Sequence, residues 1–132
     1  MADLLHVEVV SADRTVWSGD AQMVVARTVE GDIGILPRHE PIMAVLVPGA
    51  AVITGSDGAR QVIAVDGGFI SVAQNQVSIL SQFAQLGEEV DLDKAKADFT
   101  EAQELIAGGD DSLATKERLD RARGQLKIAD RS

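Results

Sequence analysis

The chain of 132 residues contains no cysteine and only two histidines. Without cysteine, neither a disulfide framework nor a thiolate metal site is available. The two histidines, His6 and His39, lie far apart in the sequence, which argues against a zinc or iron site. We therefore expect no metal and no cofactor, and a fold stabilised by packing.

Long apolar runs are also lacking. Residues 1–5 have neither the basic start nor the apolar core of a secretory signal, and no apolar run approaches the roughly 20 residues that cross a bilayer. We expect the chain to stay in the cytoplasm and to meet a membrane only indirectly, through a partner.

Aromatic side chains and positive charge are both scarce. Aromatics make up 3% of the chain, and 12 basic residues face 21 acidic ones, for a net charge of −9. Such a chain repels a phosphate backbone and has few rings for stacking, which argues against nucleic acid as the main partner. Residues 112–132 are the exception, with 6 basic and 3 acidic residues. Composition alone slightly favours a solvated helix face for this segment over a binding surface.

The first two thirds of the sequence predict β-structure. Between residues 4 and 85, short β-rich runs are separated by Gly, Pro, Asn and Asp, a pattern typical of an all-β sandwich or barrel. Strands are predicted over residues 5–10, 15–18, 22–28, 33–36, 42–47, 50–54, 60–65, 68–73 and 76–82. Turns are predicted at 11–13, 19–20, 30–32, 48–49, 55–58, 66–67 and 74–76.

After Gly87 the apolar spacing changes from two to about three and a half, which indicates helices. Asp91 and Ser112 are predicted N-caps, and Gly108 ends the first helix. The short connection requires two antiparallel helices. Their predicted apolar stripes are Leu92, Ala95, Phe99, Ala102 and Ile106 on the first, and Leu119, Ala122, Leu126 and Ala129 on the second. Because these stripes are rich in alanine, we expect the hairpin to pack weakly and to be able to detach.

The sequence thus predicts an α+β chain, with an antiparallel β-sandwich over residues 1–88 and an antiparallel helical hairpin over residues 89–132. No arrangement typical of catalysis accompanies His39, and the glycines match neither dinucleotide-binding nor P-loop spacing. By chemistry alone, the chain is a binding or structural module without catalytic residues.

Two sequence blocks are more specific. Residues 31–41 read GDIGILPRHEP, and residues 67–72 read GGFISV. Residues 6–11 (HVEVVS), 17–19 (WSG) and 121–126 (RARGQL) add to the pattern. Over its whole length the sequence resembles the epsilon subunit family of F-type ATP synthases.

The resemblance implies a noncatalytic central-stalk subunit, with a sandwich of about ten strands and a helical hairpin. It implies the gamma subunit, the c-subunit ring and the alpha and beta subunits as partners, and a peripheral position on the cytoplasmic side of a bacterial cell membrane. The c ring would meet Glu30, Gly31 and Asp32. The gamma subunit would meet Leu36, Pro37, His39 and Pro41.

The resemblance also assigns roles to the hairpin. In the family, basic side chains of an extended hairpin meet the catalytic beta subunit and obstruct ATP hydrolysis; here these would be Lys116, Arg118, Arg121, Arg123 and Lys127. Some members bind ATP on the folded hairpin, and the matching residues here are Asp93, Lys96 and Arg121. Lys96 stands where the family pattern has arginine, and Gln125 replaces a second arginine, which weakens the expected site.

Two alternatives are kept beside this interpretation. One is a free-standing β-sandwich binding module whose tail mediates self-association, and the other is an enzyme that uses His39. Copurification with gamma and a membrane-bound ATPase would indicate the epsilon-family interpretation. Homo-oligomers would indicate the binding module, and turnover of a substrate by the chain alone would indicate the enzyme.

Overall fold

A computed structural model describes residues 3–131, with side chains described up to residue 129. The strands are β1 Leu5–Val10, β2 Thr15–Thr28, β3 Gly31–Ile35, β4 Ile42–Leu46, β5 Gly49–Gly55, β6 Arg60–Val65, β7 Gly68–Ala73, β8 Gln76–Leu80 and β9 Ala84–Leu86. A short 3-10 turn, Gly87–Glu89, leads to α1 Leu92–Ala107, α2 Leu113–Leu126 and α3 Ile128–Arg131. Residues 1–2 and 132, the outer ends of the two predicted segments, lie outside the described residues.

The strands form a sandwich whose two layers share the long strand β2. The strand order is β1-β8-β7-β4-β2-β5-β6-β9, with β3 paired to β2 and an additional pairing between β1 and β2. Inward side chains of both layers, such as Val7 and Ile70 on one and Ile53 and Ile63 on the other, belong to a single buried cluster. The alternation of apolar and polar residues along each strand places these side chains on the inner face.

The sandwich and the helices agree with the predicted fold class, with two refinements. The described residues contain nine strands rather than about ten, and β1 pairs with β8 in parallel while the other strand pairs are antiparallel. The parallel pair arises because β2, β1, β8, β7 and β4 pair in a closed ring of five strands, and a ring with an odd number of strands cannot be antiparallel at every pair.

One predicted turn is wrong. Residues 19–20 were expected to separate two strands, but Gly19 pairs with Val7 and Asp20 with His6, so β2 runs unbroken through 14 residues. A glycine followed by an aspartate favours a turn locally, whereas pairing with β1, which is regular from Leu5 to Val9, favours extension. The three-residue strand β9, which pairs with β6, was also missed, because it is too short to show alternation.

Both predicted helix caps are confirmed. The side chain of Asp91 accepts a hydrogen bond from the backbone N–H of Lys94, and Ser112 accepts one from Thr115. Along α1, Ala95 and Ala102 of the predicted stripe are fully buried, whereas Leu92, its first predicted residue, is exposed. The stripe on α2 is correct at Ala122 but wrong at Ala129, which is exposed in α3, where Ile128 is the buried residue instead.

The second helix packs directly on the sandwich through Gly124. A Cβ atom at this position would collide with the carbonyl oxygen of Val65, so only glycine allows this approach of helix to sheet. Beside it, Ile128 packs with Ala50 and Ala64 in a second buried cluster on the outer face of β5 and β6. The hairpin therefore covers one outer face of the sandwich.

Candidate partner-binding surfaces

The turn between β2 and β3, together with the first two residues of β3, forms an exposed tip over residues 29–32 that we call the turn surface. It brings together Glu30, Gly31 and Asp32. The hydroxyl of Thr28 donates to the carbonyl of Gly31 at 2.8 Å and accepts from the N–H of Glu30 at 3.1 Å, which fixes the loop. Gly31 has a φ of 119°, a conformation that other residues rarely adopt.

Charges of both signs lie at the turn surface. Asp32 lies opposite Arg27 in the β2–β3 ladder, and their charged groups are 3.8 Å apart. Both side chains are largely in solvent, so this pair contributes little to folding. The turn surface therefore combines a hydrogen-bonded backbone with accessible charge.

Residues 36–41, which we call the proline loop, bring together the four residues predicted to face gamma. Leu36 is exposed, and its carbonyl accepts a hydrogen bond from the N–H of His39 at 3.1 Å. The N–H of Arg38 donates to Oδ1 of Asn75 at 2.6 Å, which ties the loop to the turn between β7 and β8. Pro37 and Pro41 further restrict the backbone.

The structure adds a surface that the sequence analysis missed. The outer side of β4, β7 and β8 carries Met43, Val45, Phe69 and Leu80, with exposed fractions of 73%, 44%, 51% and 51%. Val45 pairs with Phe69, and Phe69 with Leu80, so these side chains are neighbours on what we call the outer apolar face. The signal was present in β4, whose sequence IMAVL is apolar at every position, whereas a strand with one solvated face alternates.

The outer apolar face connects the two predicted surfaces. The proline loop leads into Ile42 at one end of β4, and near the other end the N–H of Val29 donates to the carbonyl of Val45 at 2.9 Å. One continuous surface therefore runs from the proline loop across β4 to the turn surface. Large exposed apolar areas of this kind mark protein–protein contacts.

The basic residues of the hairpin make contacts within the chain. Arg118 donates to Asp98 of α1 at 3.1 Å and to Glu101 at 2.9 Å. The guanidinium of Arg121 lies 4.4 Å from the centre of the Phe83 ring, and that of Arg123 lies 5.9 Å from the Phe99 ring. Lys116 and Lys127 are exposed.

These contacts affect two carboxyl groups. The hydrogen bonds from Arg118 lower the pKa of Asp98, and hydrogen bonds and the charge of the same guanidinium lower the pKa of Glu101. Burial raises the pKa of Asp120 on the other side of α2. Arg118 therefore links the two helices electrostatically in the folded hairpin.

The predicted nucleotide residues are only partly brought together. A cleft of about 430 Å³ between the helices and the sandwich is lined by Arg121, together with Phe83, Lys94, Asp98, Arg118, Ala122 and Gln125. Asp93 and Lys96 are exposed on α1 and are not among its lining residues. Gln125 donates to the side chain of Gln85 at 2.9 Å, so its amide bonds to the sandwich.

The comparisons with known proteins identify the family. Residues 4–87 match the family model described as ATP synthase, Delta/Epsilon chain, beta-sandwich domain. An ATP synthase epsilon chain of Streptomyces avermitilis is 50% identical over 118 residues, covering 89% of this chain and 90% of the relative. The chain belongs to the ATP synthase epsilon-chain family. An epsilon chain of Rhodococcus opacus is 42% identical over 129 residues, 97% of this chain and 98% of the relative, so the similarity includes the hairpin.

Solved structures show the same fold at lower identity. A chain in the cryo-EM structure of the Euglena gracilis mitochondrial ATP synthase, OSCP/F1/c-ring, aligns with a TM-score of 0.76 at 21% identity, covering 99% of this chain and 82% of that chain. A chain in the central stalk/c-ring structure of the Tetrahymena thermophila mitochondrial ATP synthase gives 0.58 at 18% identity, with 96% and 94% covered.

Two features are absent from the described residues. Within residues 3–131, no helix is both long enough and apolar enough to cross a membrane. The same part of the chain has no group of three or more His, Cys, Asp or Glu side chains placed to hold a metal ion.

Proposed function

We propose that this epsilon-family chain is a noncatalytic central-stalk subunit that passes rotation of the c ring to gamma in an F-type ATP synthase, on the cytoplasmic side of a bacterial membrane. The observation that carries the proposal is the outer apolar face between the proline loop and the turn surface. The structures with a similar fold come from assemblies whose titles name a c ring or a central stalk.

Gamma would cover the outer apolar face and the proline loop, including Leu36, Pro37, His39 and Pro41. The two outer faces of the sandwich support this assignment. The hairpin covers β5 and β6 within the chain, whereas Met43 and Phe69 remain in solvent. Burying these side chains against gamma supplies the hydrophobic free energy of association.

The c ring would meet the turn surface at Glu30, Gly31 and Asp32. Torque passes through a contact only if the contact resists shear, and the hydrogen bonds of Thr28 hold this loop rigidly to β2 and β3. A preorganised loop also loses little entropy on docking. Since β4 joins both surfaces, a load on the turn surface reaches the gamma surface through one hydrogen-bonded sheet.

The hairpin would restrain ATP hydrolysis. Lys116, Arg118, Arg121, Arg123 and Lys127 would meet acidic groups of the catalytic beta subunit when the hairpin extends. In the folded hairpin, Arg118 and Arg121 contact acidic and aromatic side chains of this chain. Extension of the hairpin would replace these internal contacts with contacts to the beta subunit. The degree to which hydrolysis is restrained would therefore depend on the equilibrium between the folded and the extended hairpin.

We expect ATP to bind the cleft beside Arg121 weakly. Asp93 and Lys96 lie outside its lining, and Gln125 supplies no charge. A charge-assisted contact is typically worth about 1.5–3 kcal/mol, so each missing arginine contact lowers affinity about tenfold or more.

Copurification tests the proposed function. Met43→Glu places a charge in the outer apolar face, and we expect it to release the chain from gamma while the isolated chain stays folded. Leu113→Glu is the matched control, because Leu113 is exposed to a similar degree, 70% against 73%, but lies on the hairpin. Equal retention of both variants by gamma and the membrane-bound complex would exclude the outer apolar face as the gamma contact.

A further inference from the structure

A cleft at the end of the sandwich near the turn surface gathers positive charge from separate elements. Its volume is about 620 Å³, and it is lined by Arg27 of β2, Arg123 of α2 and Lys127 just after α2. Val47, Pro48 and the buried Ala50 form its apolar wall. We call it the basic cleft.

The charge of the basic cleft differs from that of the whole chain. Among the side chains that the structure describes, its charged lining consists of three cations and one carboxylate, that of Asp32, which lies 3.8 Å from Arg27. The chain as a whole carries a net charge of −9. Cations that collect in a concave site of an acidic protein create a local field that attracts anions.

The helix dipole of α2 explains part of the positive charge in the basic cleft, but not all of it. Arg123 and Lys127 lie at the C-terminal end of α2, where positive side chains complement the helix dipole. Arg27 belongs to the sandwich, so the dipole of α2 does not explain its presence. It nevertheless lines the same cleft from the opposite side.

We propose that the basic cleft binds a phosphate-bearing anion, with Arg27, Arg123 and Lys127 as its ligands. Arginine presents a planar donor fork that matches phosphate oxygens, and lysine adds a point charge. The volume lies within the range of small-molecule sites, and Pro48 and Ala50 provide a wall for an apolar portion of the ligand.

Because the basic cleft lies between the sandwich and the hairpin, a bound ligand would stabilise the folded hairpin. Arg27 lies on the sandwich, whereas Arg123 and Lys127 lie on the hairpin, so the site is complete only when the hairpin is folded. A ligand that binds only the folded state stabilises that state in proportion to its occupancy. The bound anion would also occupy two of the basic residues assigned to restraint of hydrolysis.

Titration of the full-length chain with inorganic pyrophosphate by calorimetry at low ionic strength tests the site. We expect saturable binding that Arg27→Ala weakens about ten- to hundredfold. Arg60→Ala, an exposed arginine of β6 outside the cleft, is the matched control and should leave the affinity unchanged. Gly124→Ala, which shifts the hairpin towards the detached state, should also weaken binding although every cation is retained.

The results separate the basic cleft from its neighbours. No saturable binding below about 10 mM pyrophosphate, or binding that Arg27→Ala leaves intact, overturns the proposal. Loss of binding in Arg121→Ala alone would assign the anion to the cleft between the helices and would also overturn it. Competition of pyrophosphate by ATP would identify a soluble phosphate ester, and competition only by vesicles of anionic phospholipid would identify a lipid headgroup.

Discussion

Arg118 shows how one residue can serve two conformations. In the folded hairpin its guanidinium bonds to Asp98 and Glu101, which joins α2 to α1. The same cation is a proposed contact with the beta subunit in the extended hairpin. A substitution at this position therefore removes both the link between the two helices and a proposed inhibitory charge. Measurements on the chain without its partners report only the loss of the link between the helices.

The pKa values of Asp98 and Glu101 predict how the internal link depends on pH. Both are held below the ordinary values of 3.8 and 4.5 by hydrogen bonds from Arg118. An acid with a lowered folded-state pKa contributes stability that is present above its ordinary value and is lost as the pH falls through the lowered value. The raised pKa of Asp120 has the opposite sign and offsets part of the loss.

We expect amide protection in α2 to decrease as the pH falls from about 6 to about 3. Hydrogen exchange, expressed as protection factors at Leu119 and Ala122, measures this decrease. Arg118→Gln should lower protection at neutral pH and flatten its pH dependence, because the pairing is absent throughout. Lys116→Gln, which removes an exposed charge on the same helix, should behave like the parent chain. A pH slope that is the same in Arg118→Gln as in the parent would contradict the role of this pairing.

The helical hairpin is attached to the sandwich by close backbone approach at Gly124. Burial of large side chains contributes less, because the buried cluster at this contact consists of the small residues Ala50 and Ala64 and one large residue, Ile128, which follows α2. Such an attachment fits closely but buries limited apolar area. An added methyl group at the point of approach should therefore separate helix from sheet.

We expect Gly124→Ala to shift the hairpin towards the detached state by about 1–3 kcal/mol, the usual cost of overpacking. Alanine favours helix more than glycine does, so α2 itself should not melt. Gly108→Ala is the control, because a Cβ atom there approaches no atom closer than 3.5 Å.

Fluorescence energy transfer between labels on β6 and α2 measures detachment of the hairpin from the sandwich. In the assembled enzyme, Gly124→Ala should hydrolyse ATP more slowly than Gly108→Ala. A label distance that matches the parent chain would show that the sheet accommodates the methyl group.

At the scale of the whole molecule, the two outer faces of the sandwich differ in what covers them. The hairpin covers β5 and β6, and the proposed partner gamma covers β4, β7 and β8. This arrangement separates assembly from regulation, because the proposed contacts with gamma and the c ring all lie on the sandwich.

A chain shortened to residues 1–89 tests this separation. We expect it to bind gamma and to support coupled ATP synthesis, and the assembled enzyme should hydrolyse ATP faster than with the full chain. Truncation exposes Ala50, Ala64 and the partly buried Val62 but leaves the main core of the sandwich intact, so we expect the sandwich to remain folded. Circular dichroism and thermal melting provide the folding control. If the folded fragment fails to bind gamma, or hydrolysis is unchanged, the division of roles is wrong.

The fold class and most elements could be read from local sequence. Alternation within the β-runs, the caps at Asp91 and Ser112, and the glycines after α1 are determined by neighbouring residues. The continuous course of β2 through residues 19–20 could not, because its extended conformation depends on pairing with β1, a partner distant in sequence. β9 could not be predicted for the same reason, because its three residues are extended only through pairing with β6.

The sequence by itself determined the order of elements and the motifs of the turn surface and the proline loop, since turns, caps and family motifs are local patterns. Only the tertiary structure decided which apolar side chains remain exposed, because Met43 and Phe69 are indistinguishable from core residues until the layers are packed. It also decided that Arg27 and Arg123 line one cleft and that Gly124 contacts the sheet. These are relations between segments far apart in the chain, and they exist only once the hairpin has folded against the sandwich.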